Sequence, residues 1–509
     1  MVCIAFPAPG CLVFPAFMKL PALLALCMVL ACARLSAEGP DPAEIPLPPI
    51  ATPLGRLPGV NELPVRPALP DELVMNDGTR VTTAAQWRLR REEMRRTLEY
   101  YATGQLPPAP GNVTGTEVKA ETVADGKVKY RLVHLTFGPD RKLALDIGLF
   151  TPAEGGPFPA IILQAGTPPG ATPLPRLPPG PNQGKGEDVL LLVGKAPTPA
   201  APPASGTEMA TALPGNPPAD GVPRTNTGPA AAGNGAPPAR GGFGGPVTAE
   251  AMATRNAEVF RRGYALVVFN PNDCAEDTTL READGSWSFR HTRFFPAYPG
   301  YDWGVLAGWA WGASRVADYL ETDAAIDHTK LMVITGASRN GKSAMIAAAF
   351  DERFMGAPVV TGGGGVGAYR LAGPRHSETL DIMQKKYPNW FSPHLHEFWG
   401  QREKLPFDEH WFLALCAPRP FIALEGDTDT ISLPAAVKAS VLAAAPAYEL
   451  LGAPGRLGVH YSHHPHAFTA EDWTALMNFA DLHLRGRHDF TFDWFPTDAE
   501  LDAIAKRNN

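Results

Sequence analysis

Residues 333–346 read VITGASRNGKSAMI. Met332 to Thr335 are apolar or β-branched, Gly336 follows, and small helix formers continue beyond Lys342. That order predicts a buried strand, a sharp turn and a helix, with Ser338 at the turn. A serine raised on such a turn has its hydroxyl clear of the sheet, so the surrounding chain decides whether it is a nucleophile or an ordinary turn residue.

Working outward, YALVVFN (264–270) and LMVIT (331–335) read as buried strands, and WGVLAGWAWGASRVADYLE (303–321) has helical spacing. A further helix is expected around 249–262, and another over AAQWRLRREEMRRTLEYY (84–101). On the N-terminal side, VKYRLVHLTFG (128–138) and LALDIGLFTP (143–152) alternate like antiparallel strands, and FPAIILQAG (158–166) is a continuous apolar run. Strands alternating with helices imply a mainly parallel sheet. The expectation is an α/β-hydrolase fold, a three-layer sandwich with a mainly parallel central sheet and an antiparallel N-terminal portion. Residues 167–246 break the composition: apart from Val189–Val193, a possible short strand, the stretch is Pro, Gly, Ala, Thr and Asn. Too poor in large apolar residues to fold alone, it reads as a largely disordered surface insertion in a catalytic domain spanning 76–509.

Gly336-Ala-Ser338-Arg339-Asn-Gly341 follows the nucleophile elbow G-x-S-x-G except that the closing glycine comes one place late. The backbone N–H of Arg339, at the start of the next helix, is placed to meet an oxyanion. A serine needs a base, and HYSHHPHAFTAEDW (460–473) supplies candidates. Thr469-Ala-Glu-Asp472 reads as a capping box, which sets His466 in the loop just ahead of a helix and favours it over His460, His463 and His464. The other reading of four histidines within seven residues is a metal site, but no carboxylate or cysteine pattern of zinc spacing accompanies them. No metal or cofactor is expected. The orienting acid belongs between serine and histidine in the chain; FIALEGDTD (421–429) is an apolar strand ending in two carboxylates, of which Asp429 is preferred to Asp427.

TGASRNGKSA resembles the elbow of the glucuronoyl esterases, carbohydrate esterase family 15, whose nucleophile is followed by arginine and, four places on, by lysine. Similar stretches are 303–323, TGGGGVGAYR (361–370), 387–423 and HAFTAEDW (466–473). The resemblance implies hydrolysis of an ester between a 4-O-methyl-glucuronoyl group on xylan and a lignin-derived alcohol. It gives Arg339 an oxyanion role and assigns Lys342 and Glu378 to sugar hydroxyls from two sides. It supports Asp429 as the acid, because Pro434 matches a proline that trails the acid in relatives. Three positions depart from the pattern: Thr361 stands where many relatives carry an acidic glutamate, Ile431 where they carry a tryptophan, and QAGTPPG lacks an expected Gly-Asn-His stretch. Trp390 is the candidate for sugar stacking in place of that tryptophan, with a core position as the alternative.

The 509 residues are 45% hydrophobic and 19% charged, with a formal net charge of −7. A large core is assured, and nothing basic marks a nucleic-acid partner. Lys19 and the apolar run to Ala31-Cys32-Ala33 read as a signal peptide over 1–33, with a lipoprotein signal at Cys32 as the alternative. A proline-rich arm over 34–75 follows. The expected product is an exported monomer, periplasmic or secreted, with no transmembrane segment. Only Cys274 and Cys416 remain beyond the signal, and two buried free thiols are expected. An acetyl-xylan-type esterase and a catalytically weak glucuronoxylan-binding relative are the competing readings.

Overall fold

The computed structural model describes residues 56–180, 248–371, 378–429 and 431–488. Among these, nine strands form one sheet: β1 (Thr114–Val123), β2 (Val128–Phe137), β3 (Leu143–Pro152), β4 (Ala160–Gln164), β5 (Ala265–Phe269), β6 (Met332–Ala337), β7 (Phe354–Val359), β8 (Phe421–Gly426) and β9 (Leu457–Ser462). Their spatial order is β1-β2-β3-β5-β4-β6-β7-β8-β9. The β1–β2, β2–β3 and β3–β5 pairs are antiparallel, and every pair from β5 to β9 is parallel. The expected architecture is therefore present. Parallel strands all end on one edge of the sheet, so the loops after β6, β8 and β9 emerge side by side.

Helices cover both faces. The main ones are α1 (Ala84–Leu98), α2 (Ala249–Arg255), α3 (Ala257–Arg261), α4 (Val305–Leu320), α5 (Arg339–Phe350), α6 (Leu380–Lys386), α7 (His410–Cys416), α8 (Pro434–Leu450) and α9 (Ala470–Arg485). Alternate strand residues face opposite ways: Ile162, Ile334 and Ala423 pack in one core with α4, α5, α7 and α8, whereas Ile161, Val333 and Ile422 pack in the other with α2, α3 and α9. The helix expected around 249–262 is two short ones broken at Asn256. Both Cys274 and Cys416 are buried and free.

The signal region lies outside the described residues, as does the possible strand at Val189–Val193. Of the arm, residues 56–75 lie along the body. Arg66 N donates to Glu403 O at 2.6 Å. His410 Nε2 and Trp411 Nε1 bond to Pro70 O, and Leu73 is buried.

The insertion begins later than its composition suggests. Residues 167–180 pack on the loop after β5: Leu177 N donates to Glu276 Oε1 at 3.2 Å, Thr278 Oγ1 donates to Pro178 O at 2.8 Å, and Gly180 sits against Thr279 with no room for a Cβ. The prolines and glycines of 167–180 form a fitted surface strap. Joining residue 182 to residue 245 should therefore leave the melting temperature within about 2 °C, because the removed residues are poor in large apolar side chains and loop length enters the entropy only logarithmically. A deletion that also removes 172–181 should lower it clearly. Thermal melts of the two variants separate these outcomes.

Candidate functional site

Ser338 carries φ 57° and ψ −126°, a strained conformation for a residue with a Cβ. The turn is pinned on both sides, since Ser338 N donates to Val359 O and Lys342 N donates to Ser338 O, each at 2.9 Å. Gly341 explains the late glycine. A Cβ there would lie 2.7 Å from Gly336 O and 2.9 Å from both Val359 O and Thr361 Cγ2, so α5 can start this close to β6 and β7 only with a bare backbone. Arg339 is the first residue of α5, and its backbone N–H has no acceptor within the helix.

The candidate acid and base come from the loops after β8 and β9. Asp429 closes a turn after β8, its N–H bonded to Gly426 O. Its Oδ1 accepts from Ile431 N at 2.8 Å, and its Oδ2 lies 2.7 Å from His466 Nδ1. Both carboxylate oxygens are thus engaged, and the side chain is fully buried. His466 Nε2 is buried with no hydrogen-bond partner among the described residues. An imidazole whose Nδ1–H is fixed on a carboxylate has its other nitrogen available as an acceptor.

The remaining histidines are engaged elsewhere. His463 Nδ1 meets Asp427 Oδ1 at 2.9 Å on the surface, so the second carboxylate of the Gly-Asp-Thr-Asp turn serves an exposed ring. His464 Nε2 lies 3.0 Å from Asp472 Oδ2, and Asp472 is also the reciprocal member of the Thr469 capping box. Burial alone would lower the His464 pKa, but the Asp472 carboxylate and the Pro465 carbonyl outweigh it and raise it to about 9.

Arg339 Nη1 sits 3.2 Å from Asp277 Oδ2. Asp277 Oδ1 accepts from Trp390 Nε1 at 2.7 Å and from Asn389 Nδ2 at 3.1 Å. One buried carboxylate thus fixes both the arginine and an indole. That indole corrects an expectation: Trp390 is only 3% exposed and lies flat on Tyr387, with ring centroids 3.9 Å apart and an interplanar angle of 7°. Trp390 has no face for a sugar. Tyr387 is the half-buried member of the stack. Its hydroxyl pKa is pushed up to about 12 by burial and by the charges of Glu378 and Asp277, with Arg339 opposing, which puts the ring among the site's charged groups.

Lys342 and Glu378 meet each other instead of flanking a space from two sides. Lys342 Nζ donates to Glu378 Oε2 at 2.7 Å and to Thr361 O. The run TGGGG is shaped by this contact, since a Cβ at Gly363 would overlap Glu378 O and one at Gly362 would come within 2.8 Å of Glu378 Oε2. Thr361 itself faces Glu425 in β8, a buried acid that strand periodicity alone does not mark as functional. A glutamate at 361 would meet that carboxyl. Neither Asp277 nor Tyr387 has a motif to announce it; both are set by loops whose course the sequence does not reveal.

The family described as "Glucuronyl esterase, fungi" matches residues 240–452. A carbohydrate esterase from an unknown prokaryotic organism, MZ0003, is 27% identical over 435 residues, covering 82% of this chain and 90% of its own. A structure of a promiscuous CE15 esterase from the marine bacterial metagenome superposes with TM-score 0.61 at 25% identity, over 84% of this chain and 99% of that one. The chain is thus similar to the glucuronoyl esterases of carbohydrate esterase family 15. 4-O-Methyl-glucuronoyl methylesterase 1 of Wolfiporia cocos is 30% identical over 253 residues, 47% of this chain and 60% of that protein. In this chain Gly341 is what lets the elbow helix start against the sheet. Gly341→Ala should therefore destabilise the fold by about 1–3 kcal/mol, the usual cost of forcing a methyl into packed backbone, read as a shifted denaturant midpoint.

Proposed function

We propose that this chain is a serine esterase that hydrolyses 4-O-methyl-glucuronoyl esters, the linkage between glucuronoxylan and lignin alcohols, through an acyl-enzyme. The observation that carries the reading is the 2.7 Å bond between buried Asp429 and His466, with Nε2 left open on the sheet edge that also bears the strained Ser338 elbow. Similarity to proteins named for it, such as the Wolfiporia cocos relative, supports this substrate class.

In this mechanism Ser338 Oγ attacks the ester carbonyl and gives its proton to His466 Nε2. Asp429 holds the ring in the required tautomer and stabilises the imidazolium. The oxyanion meets the Arg339 N–H and the Arg339 guanidinium. In many α/β-hydrolases the loop after an early strand gives a second amide, but here Ala165 N–H is spent on Phe269 O at 3.1 Å, which increases the weight on the guanidinium. His466 then returns the proton to the departing alkoxide, and water repeats the steps in reverse order of roles. Lys342 has three donors and uses two on Thr361 O and Glu378, which leaves one for a sugar hydroxyl, while Glu378 keeps lone pairs for a neighbouring one. Tyr387, backed by Trp390, forms an aromatic wall beside them.

A second reading, an esterase with a broader choice of acid, is favoured by Ile431 and by the likeness to an esterase described as promiscuous. Side-by-side hydrolysis of benzyl glucuronate, methyl galacturonate and an acetyl ester distinguishes the two. The signal-like stretch at 1–33 supports export, and among the described residues no helix is long and apolar enough to cross a membrane. A monomer is the oligomeric state we assign.

Benzyl glucuronate should be hydrolysed without added metal, and Ser338→Ala should abolish turnover with the melting temperature retained. Asp429→Asn should lower kcat by about three to four orders of magnitude with little change in KM, as when a base loses its orienting charge. Asp427→Asn should cost less than about threefold, since its partner is the exposed His463. A larger loss in the Asp427 variant, or full activity in Ser338→Ala, would refute the assignment.

A further inference from the structure

One buried acid is not used by this mechanism. Glu425 lies in β8 with none of its surface exposed. Its Oε1 accepts from Thr361 Oγ1 at 3.3 Å and from Thr361 N at 3.4 Å, both long contacts, and its Oε2 is buried with no partner among the described residues. Thr361 in turn accepts from Val366 N at 2.9 Å through Oγ1, and from Lys342 Nζ through its carbonyl. Glu425 is therefore one residue removed from the sugar-facing lysine and four residues before the acid that holds His466.

Among the described residues, the groups around it include no free cation. Asp429, from the loop after β8, bears on Glu425 as a like charge. Tyr461, its cross-strand partner in β9, has a hydroxyl pKa raised by burial and by Glu425, so it is neutral and its O–H is given to Pro434 O. Thr361 and Ser432 offer hydroxyls only. Lys342, on the far side of Thr361, is paired with Glu378. A carboxylate placed here would be desolvated, unpaired and next to a second carboxylate, the arrangement in which one of two acids keeps its proton. We propose that Glu425 is a positioning acid for this reaction, held neutral so that Asp429 is the single negative charge behind His466, while the same carboxyl ties down the Thr361 turn that fixes Lys342. Burial first and Asp429 second, with Ser432 and Thr361 opposing, raise its pKa to about 8, consistent with that role.

The inference rests on the triad reading for its effect on turnover, but the proton on Glu425 can be tested without it. An acid with an ordinary value of 4.5 when unfolded and about 8 when folded binds more protons in the folded state between those values, so stability falls as pH rises through that window and is level above it. Glu425→Gln, which mimics the neutral acid, lacks this loss. The melting temperature of the variant should therefore gain on the native protein steadily between about pH 5 and pH 8.

In benzyl glucuronate assays the Gln variant should keep kcat and KM within about twofold at pH 6–7 and hold kcat at pH 9, where the native enzyme falls by roughly tenfold as Glu425 ionises against Asp429. Ser432→Ala removes a hydroxyl that favours the ionised form and should move the native alkaline limb to higher pH, which gives a second route if the Gln variant folds poorly. A melting gap that does not change with pH, an alkaline limb that survives in Glu425→Gln, or a folded Gln variant with kcat lost at pH 6–7 would each overturn the proposal. Absence of turnover in the native protein would instead sink the triad reading and leave the melting comparison to decide Glu425.

Discussion

The close approach of α5 to the ends of β6 and β7 is the constraint from which the site is built. A bare backbone at Gly341 allows it, and the positive φ of Ser338 is what the chain must accept to make the strand-to-helix reversal in so little space. Strain of that kind costs roughly 1–3 kcal/mol and persists only where surrounding bonds over-determine it. Here those bonds are Ser338 N to Val359 O and Lys342 N to Ser338 O, one to the next strand and one into the helix. The same geometry that lifts the serine also aims Lys342, one turn along α5, at the Thr361 carbonyl. The proposed nucleophile and the ammonium proposed to meet a sugar hydroxyl are thus placed by a single feature.

Parallel pairing from β6 to β9 does the rest. Each strand ends on the same edge, so the proposed acid and base need only short loops to meet: Asp429 within a three-residue turn of Gly426, and His466 between β9 and the capped start of α9. The loop that carries His466 is tied at both ends, because Thr428 N donates to His464 O and His464 pairs with the cap residue Asp472. Little conformational freedom remains to be lost when a substrate arrives.

Much of this was legible in the sequence where local pattern and buried environment agree. The strands at β2 to β6 and β8 are apolar or alternating, and α1, α4 and α9 carry helical spacing with caps at two of them. The pairing of Asp429 with His466 was readable because acid and base flank regular elements. Three strands were not anticipated. β1 is a polar edge strand exposed along most of its length, β7 contains glycine and proline, and β9 is interrupted by histidine and tyrosine, so none shows the period that burial imposes. Tertiary placement explains the misses in the site. Trp390 looked like a platform because a tryptophan near a sugar site often is one, but its indole N–H is drawn inward by Asp277, a residue 113 positions away. The strap at 167–180 has the composition of a disordered segment and is ordered by contacts with 276–280 that no local rule foresees.

Asp277 has a consequence for how this enzyme can evolve. The same carboxylate restrains Arg339, the arginine proposed to meet the oxyanion, and, through the indole, Tyr387, the proposed aromatic wall. Substitutions that reshape the wall for a different alcohol would therefore disturb the arginine as well, so changes in ester preference would arrive as changes in catalytic rate rather than in ground-state affinity. Such a shared anchor makes selectivity and speed epistatic: paths to new substrates that keep activity would run through the half-buried tyrosine before the buried tryptophan behind it.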